Sequence, residues 1–206
     1  MTLLLVRHGE SEGNASRIIQ GSLDAPLSAL GRAQAEATAR RLAREPVAAV
    51  YASTLARAFD TGAIIAATHG LEPQGIDDLR EYHYGEAQGL SREEIYRRWP
   101  RALAEWGAGH VPGEEGAARF RERVAAAFDA LAARHRDDLA VVAIHGGTIV
   151  QVIAHVLGLP PGGRVRSAVA NCAITTIATA GGAPTIVALN DECHLRGAVA
   201  AFTTAD

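Results

Sequence analysis

Residues 2–10 read Thr2-Leu3-Leu4-Leu5-Val6-Arg7-His8-Gly9-Glu10, an apolar run followed at once by a cation and an imidazole. The apolar part, residues 2–6, is typical of a strand that is buried on both faces. In open α/β sheets, ligands bind just beyond the carboxyl ends of the parallel strands. Because Arg7 and His8 stand at such an end, the stretch predicts an anion site that contains a nucleophile.

The composition is that of an α/β domain of ordinary size. The chain has 206 residues, of which 48% are hydrophobic, so we expect a single domain with a sizeable core over residues 1–206. The formal net charge of −3 disfavours a broad nucleic-acid-binding surface, and anion recognition must then be local. All 20 basic residues are arginine. The lack of lysine excludes a lysine Schiff base and a Walker-type phosphate loop.

The cysteines and the apolar segments indicate a protein of the reducing cytosol. Cys172 and Cys193 form neither a metal-ligand spacing nor a disulfide framework. The apolar run at residues 2–6 is too short for a signal peptide, and no later stretch is long enough to span a membrane. We therefore expect a soluble, cytoplasmic protein without a membrane partner.

Short apolar runs alternate with longer alanine-rich segments, which is the pattern of parallel βαβ units. Strands are predicted at residues 47–51, 71–76 and 139–144, and helices at 27–44, 54–68, 92–99, 115–136 and 148–157. Pro73 places its strand at a sheet edge, and Ser91 with Glu94 forms a capping box. Residues 172–178 and 185–189 flank Gly181-Gly182 and predict a terminal antiparallel hairpin.

Two loops are candidates for the walls of a substrate pocket. Residues 77–90 are polar and carry Tyr82, His83 and Tyr84. Residues 107–116 hold four glycines and one proline, which predicts a mobile loop that is either a lid or a plain surface loop.

Three strand-to-helix junctions fall at the same edge of the predicted sheet. The first strand ends at Arg7-His8, and the second ends at Ser53 with Arg57 about one turn into the next helix. The strand at residues 139–144 ends at His145-Gly146-Gly147, which opens another helix. Helix N-termini also attract anions. Two arginines and two histidines are therefore expected to converge on one small dianion.

This grouping suits phosphoryl transfer, in which catalysis is mostly positioning and charge stabilisation. Arg7 and Arg57 can each give forked hydrogen bonds to phosphoryl oxygens, and His145 is a further donor. A neutral His8 is able to attack phosphorus in line. The charge of the neighbouring arginines favours that neutral imidazole.

The leaving oxygen needs a proton, and the loop after residue 76 offers four carboxyl groups. Glu81 is the best candidate, because it could protonate the leaving oxygen and then activate water. On the residues alone, Asp77, Asp78 and Glu86 compete with it.

The motifs around these residues resemble those of the histidine phosphatase superfamily, the phosphoglycerate-mutase-like group, in its phosphatase branch. The matched segments run in order through nearly the whole chain, at residues 7–11, 27–31, 53–61, 79–89 and 144–147. The resemblance implies a three-layer α/β/α sandwich with a mostly parallel central sheet. It also implies a phosphohistidine on His8 with Glu81 as proton donor, and neither a metal nor another cofactor.

The same resemblance extends to substrate-side residues. It places Asn14 in the phosphate pocket and Gln20-Gly21 beside the substrate. We further expect Gly146 at the phosphate and His83 in the substrate pocket. Two departures concern the shape of that pocket. Gly13 stands where many members have a large residue, often tryptophan, and residues 112–116 replace a Gly-Gly-Glu-Ser run.

Three other functions are each suggested by part of the sequence. A phosphoglycerate mutase would share the first step, but family mutases carry a longer arginine-bearing insertion where this chain has a short segment with Arg97-Arg98. A non-catalytic phosphate-binding module is disfavoured because every matched position is retained. Residues 9–13 formally match the nucleophile elbow of serine hydrolases, with Asp191 and His194 downstream, but an elbow needs an upstream strand and loop for its oxyanion hole, so we interpret the match as accidental.

The expected function is hydrolysis of a small phosphorylated metabolite. The resemblance admits phosphorylated sugars, phosphoglycerates, phosphoserine and nucleotide-loop precursors, and the residues do not select among them. The oligomeric state is equally open, with a homodimer among the options.

Overall fold

The computed structural model describes residues 2–160, 163, 165, 167–179 and 182–196 of the chain. The strands are β1 Thr2–Arg7, β2 Val47–Ser53, β3 Gln74–Ile76, β4 Leu139–Ile144, β5 Ile174–Ala178 and β6 Thr185–Asp191. The helices are α1 Glu12–Ala15, α2 Ala29–Leu42, α3 Ala56–Ala67, α4 Arg92–Arg98, α5 Ala117–Arg134 and α6 Gly146–Val156. All six strands form one sheet in the order β3-β2-β4-β1-β5-β6.

The sheet is mixed but mostly parallel, as predicted. Strands β3, β2, β4 and β1 pair in parallel, whereas β5 pairs antiparallel with both β1 and β6. The terminal antiparallel pair is therefore confirmed, while Gly181 of its connection lies outside the described residues. Strand β3 is at the edge, as predicted, but is shorter than expected. Leu71 N–H donates to Ala66 O in the turn that ends α3, so the first residues of the predicted strand belong to that turn.

Helices cover both faces of the sheet, and successive side chains of β1 pack against helices on opposite faces. Leu3 and Leu5 join a buried cluster with side chains of α5 and α6, including Phe120 and Ile149. Leu4 and Val6 face the opposite way, into a second cluster with side chains of α2 and α3. This period of two follows from the pleat of the strand. The three-layer α/β/α sandwich is confirmed.

The helix ends are set by local hydrogen bonds. The predicted capping box is present, since Ser91 Oγ accepts from Glu94 N–H and the Glu94 carboxylate accepts from Ser91 N–H. Helix α3 begins at Ala56, whose N–H donates to Asp24 Oδ1 at 2.6 Å. Helix α6 begins at Gly146, two residues earlier than predicted. No helix among the described residues is long and apolar enough to cross a bilayer.

The glycine-rich loop at residues 107–116 is tied to its surroundings by backbone and carboxylate contacts. Glu114 accepts hydrogen bonds from the N–H groups of Gly107 and Val111. Glu86 N–H donates to Pro112 O at 3.0 Å, and Val111 is buried. The loop therefore packs against the segment that carries Tyr82 and Tyr84.

Candidate active site

The register of the sheet places the ends of β1, β2 and β4, the three predicted strand-to-helix junctions, next to each other at one edge. Arg7, the last residue of β1, pairs with Ile144, the last residue of β4. Ala52 of β2 pairs with Ala143 of β4, one residue earlier. His8 and His145 therefore follow the ends of β1 and β4, next to Ser53 at the end of β2, where α3 and α6 begin.

A cavity of about 900 Å³ opens at this edge. Most of the predicted site residues line it: Arg7, His8, Asn14, Gln20, Gly21, Arg57, Glu81 and Gly146. His145 lies directly behind, with its ring centroid 5.1 Å from that of His8 in an edge-on contact. The structure thus brings together the residues that the three junctions predicted.

His8 is held as a neutral imidazole with one nitrogen available. Its Nδ1 lies 2.7 Å from Gly9 O, so Nδ1 carries the proton and donates it to that carbonyl. Nε2 then has a lone pair, which accepts from Arg57 Nε–H at 3.3 Å. Burial first, then the charges of Arg57 and Arg7, hold the pKa of His8 well below its ordinary value. Nε2 is therefore unprotonated near neutral pH.

The two arginines are buried and are fixed by backbone carbonyls. Arg57 is 1% exposed, and its guanidinium donates to Gly21 O at 2.6 Å and to Leu23 O at 2.7 Å. Arg7 donates to Val169 O. Arg7 Nε is buried and finds no acceptor among the described residues. Burial lowers the pKa of both guanidinium groups, which means that an anion in the cavity would relieve an electrostatic cost.

His145 occupies the N-cap position of α6 and is completely buried. Its Nε2 lies 2.8 Å from Ser53 Oγ, whereas Nδ1 is buried and has no partner among the described residues. Burial, followed by the proximity of His8 and the arginines, lowers the pKa of His145 well below its ordinary value. If Nε2 accepts from the Ser53 hydroxyl, Nδ1 carries the proton as a free donor.

The carboxylate of Glu81 lies over the first turn of α6 and bonds to its backbone. Oε1 accepts from Tyr82 N–H and Oε2 accepts from Gly147 N–H, both at 2.8 Å. A Cβ at residue 147 would lie only 2.3 Å from Glu81 Oε1, so glycine is required for this approach. Each carboxyl oxygen has two lone pairs, so accepting one N–H leaves room for a proton.

Ser11 organises the substrate-side amides. Its hydroxyl is fully buried and lies 3.0 Å from Asn14 Oδ1 and 2.8 Å from Gln20 Oε1. With these oxygens engaged, the amide nitrogens of Asn14 and Gln20 are the groups left for a ligand. The departure at Gly13 has a direct cause, because a Cβ there would lie 2.3 Å from Gln20 Cδ.

The same contacts remove the serine hydrolase alternative. Ser11 is engaged with the two amides, and no histidine approaches its hydroxyl among the described residues. His194 instead bonds to Thr38 Oγ1 and Cys172 O through Nε2. The match of residues 9–13 to a nucleophile elbow is accidental.

His83 is not part of this cavity, contrary to the expectation from its position in the loop. Its side chain borders a separate depression of about 400 Å³, and its Nδ1 accepts from Gly85 N–H. Tyr82 and Tyr84 do line the main cavity. Tyr82 is buried and Tyr84 is half-buried, whereas the His83 side chain between them is exposed.

Two residues that the sequence did not assign hold the Glu81 segment in place. Arg123 of α5 donates to the carbonyls of Asp78, Arg80 and Glu81. Its remaining donors bond to both carboxylate oxygens of Glu115, at 2.6 and 2.9 Å. The sequence offers one weak signal, since Glu115 falls in the segment that departs from the family pattern.

Asn171 is a further residue missed in the sequence. Its side-chain nitrogen donates to His8 O at 2.9 Å and approaches Asn14 Oδ1 at 3.4 Å. It therefore fixes the backbone of the histidine from the side of β5. No sequence pattern connects positions so far apart in the chain.

Buried guanidinium groups around a neutral imidazole define the class of the site, because they are what a phosphoryl group requires. The family follows from known sequences. The model of the histidine phosphatase superfamily (branch 1) matches residues 3–192. The chain belongs to this superfamily and is a phosphatase, a phosphoric monoester hydrolase. The family and enzyme class predicted from the motifs are confirmed.

Relatives of this chain are named both as phosphatases and as mutase-like proteins. It is 31% identical over 201 residues to putative phosphoserine phosphatase 2 of Hydrogenobacter thermophilus, covering 94% of this chain and 97% of that protein. It is 40% identical over 154 residues to phosphoglycerate mutase-like protein 4 of Arabidopsis thaliana, covering 71% and 67% respectively. The solved structure of Bacillus stearothermophilus YhfR matches with a TM-score of 0.87 at 28% identity, covering 95% of this chain and 99% of that one.

Proposed function

We propose that the protein hydrolyses small phosphomonoesters without a metal, through a phosphohistidine on His8. The observation that carries the proposal is the state of the His8 ring. Its Nδ1 is anchored on Gly9 O, so the unprotonated Nε2 is the nitrogen that contacts Arg57. An unprotonated imidazole nitrogen at an anion site is equipped to attack phosphorus.

In the first step, His8 Nε2 forms a bond to phosphorus while the bond from phosphorus to the ester oxygen breaks. Arg7 and Arg57 neutralise the charge on the phosphoryl oxygens, and His145 donates from Nδ1. The proton of the Glu81 carboxyl group moves to the leaving oxygen, so the alcohol departs neutral. The protein then carries the phosphoryl group on His8 and a carboxylate at Glu81.

In the second step, water attacks phosphorus on the side that the alcohol has left. Glu81 takes a proton from the water, the Nε2–P bond breaks, and inorganic phosphate leaves. The enzyme returns to its starting protonation state. Metal independence is proposed because Arg7 and Arg57 can supply the charge stabilisation that a cation otherwise provides.

The decisive experiment is rapid acid-free quenching after mixing with a phosphate-labelled aryl ester. We expect label on the protein that resists alkali and is lost in acid, and none in His8→Ala. His69→Ala is the matched control, since His69 lies beyond the end of α3 and away from the cavity. Phosphate release should persist with a chelator present.

Two results would contradict the proposal. Substantial turnover by a folded His8→Ala variant would show that His8 is not the nucleophile. Loss of activity on chelation, with recovery on adding metal, would show that the enzyme needs a metal. Interconversion of 2- and 3-phosphoglycerate with little phosphate release would instead identify a mutase. A chain that binds phosphate but releases none from any ester would be a non-catalytic module.

A further inference from the structure

Away from the arginines, the wall of the cavity is mostly apolar and aromatic, with Gln151 and Ser167 as its polar members. The lining side chains there include Ile19, Tyr84, Trp106, Phe120, Val150 and Val165. The volume of about 900 Å³ is at the upper end of the ~300–1,000 Å³ typical of pockets that enclose drug-sized ligands. A phosphate group and a short polar chain leave much of this surface uncovered.

The aromatic part of the wall is ordered before any ligand arrives. The rings of Tyr82 and Tyr84, and those of Tyr84 and Trp106, meet edge to face with centroids 4.8 and 4.6 Å apart. Tyr82 also contacts Phe120 at 5.4 Å. Its hydroxyl donates to Glu114 and accepts from Gly116 N–H. Fixed aromatic surface binds apolar groups with little loss of side-chain entropy.

The apolar surface continues beyond the cavity. A second depression, also of about 900 Å³, shares Trp106, Ala117, Val150, Gln151 and Val165 with the first. It runs on over Leu103 and alanine side chains of α5 and α6. The two depressions therefore form one elongated cleft that starts at His8.

Two charged side chains border the described outer part of the cleft, Arg121 and Glu122. Arg121 borders the second depression, but its guanidinium donates to the carbonyls of Ala154, Leu159 and Pro160. These bonds turn its donors toward the end of α6 and away from a ligand. Of the described residues, the cations at the cavity itself are Arg7 and Arg57, which belong to the phosphoryl end.

We infer that the alcohol released by this phosphatase is extended and apolar, seated against Tyr84, Trp106 and Val150. The substrate class is then a phosphomonoester of an extended aliphatic or aromatic alcohol, in preference to a phosphorylated three-carbon acid. The inference rests on the proposed function, because it takes the cleft as the site of the leaving group.

Straight-chain alkyl phosphates from ethyl to octyl test this, since their alcohols have nearly the same acidity and differ mainly in buried methylene groups. Below their micelle concentrations, kcat/KM should rise roughly two- to fourfold per methylene until the cleft is filled. Octyl phosphate should also exceed phosphoserine and 3-phosphoglycerate in kcat/KM.

Two tryptophan variants place the subsite. Trp99 and Trp106 both pack against the same small core cluster, but only Trp106 lines the cleft. Trp106→Ala should lower the octyl-to-ethyl ratio of kcat/KM at least tenfold, while Trp99→Ala keeps the wild-type ratio. Circular dichroism and thermal unfolding establish that both variants are folded.

The failures are distinguishable. If ethyl phosphate is hydrolysed in a His8-dependent manner but kcat/KM is flat or falls with chain length, the apolar subsite is wrong and the phosphatase mechanism stands. A rising series that Trp106→Ala does not alter also overturns the subsite. If no ester releases phosphate, both the subsite and the proposed function are wrong.

Discussion

The carboxylate of Glu81 and the backbone N–H of Gly147 are joined by a hydrogen bond of 2.8 Å. This bond links the loop after β3 to the first turn of α6, the helix that His145 caps. The position of the proposed general acid is therefore set by a residue that has no side chain.

Gly147→Ala should separate catalysis from stability. The new Cβ would lie 2.3 Å from Glu81 Oε1, so the carboxyl must shift, and a displacement of about 1 Å can lower kcat roughly 10²-fold. Alanine is also the better helix former, so the unfolding midpoint should not fall. Steady-state kinetics with an aryl phosphate and thermal unfolding measure the two effects. Gly182→Ala, with no atom within 4 Å of its added Cβ, is the control. Unchanged kcat in Gly147→Ala would contradict the role of this contact.

Arg123 and Glu115 should act as a positioning pair for Glu81. Arg123→Met removes the donors to the carbonyls of Asp78, Arg80 and Glu81 and leaves Glu115 unpaired. We expect kcat to fall more than KM rises, with a loss of about 3 kcal/mol in unfolding free energy.

The double variant Arg123→Met with Glu115→Leu distinguishes positioning from general stability. Removing both charges should restore most of the unfolding free energy. The low kcat should remain, because the carbonyls around Glu81 still lack their donors. Denaturant titration and kinetics on the same samples provide the comparison. Recovery of kcat together with stability would show that the pair is merely structural.

The stability of the protein should fall on the acid side of neutrality. The pKa values of His8 and His145 are lowered well below the ordinary 6.5, chiefly by burial. Below about pH 6.5 the unfolded chain binds protons that the folded chain does not. The stabilisation is therefore complete above that pH and is lost progressively as the pH falls toward the folded pKa values.

The expected slope is up to about 1.4 kcal/mol per histidine per pH unit in this window. Denaturant unfolding between about pH 7.5 and 5 measures it. His8→Asn should reduce the slope, because His145 still contributes, whereas His69→Asn should keep it. A wild-type profile without slope, or an unchanged slope in His8→Asn, would refute the linkage.

Ser53→Ala should weaken oxyanion binding through His145. Ser53 Oγ is the partner of His145 Nε2, at 2.8 Å, and without it either ring nitrogen can carry the proton. A hydrogen bond of this kind contributes about 1 kcal/mol, so the inhibition constant for vanadate should rise roughly three- to tenfold. Thr68→Ala, which removes a hydroxyl at the end of α3, is the matched control. Equal vanadate inhibition in Ser53→Ala and the wild type would leave the Ser53 contact without a role in binding.

Much of the site was predictable because its main residues lie at or just after the ends of strands β1, β2 and β4. The strand at residues 139–144 was predicted with the bounds of β4, and the rule that parallel strands end at one edge brought Arg7, Arg57 and His145 together. Such predictions need only local patterns. His83 shows the limit, since neighbouring loop residues face opposite ways and the sequence around it does not display which way is inward.

The remaining contacts join distant parts of the chain through side-chain to backbone bonds. Arg123 reaches carbonyls 42 to 45 residues earlier, and Asn171 reaches the carbonyl of His8 across 163 residues. A carbonyl acceptor is present at every residue, so its identity leaves no trace in the sequence. These contacts could be found only in the folded structure.

The position of β1 in the sheet constrains how the protein is made. The strand that delivers Arg7 pairs with β4 on one side and β5 on the other, with Thr2 opposite Leu139 and Ala178. Both partners are translated long after it, so during synthesis the segment at residues 2–7 must wait for most of the chain to emerge. Contacts so distant along the sequence close slowly. Catalytic activity should therefore appear late in synthesis and in a single step. Until β4 and β5 have been made, the apolar strand β1 is unpaired and is the segment of the nascent chain most exposed to aggregation.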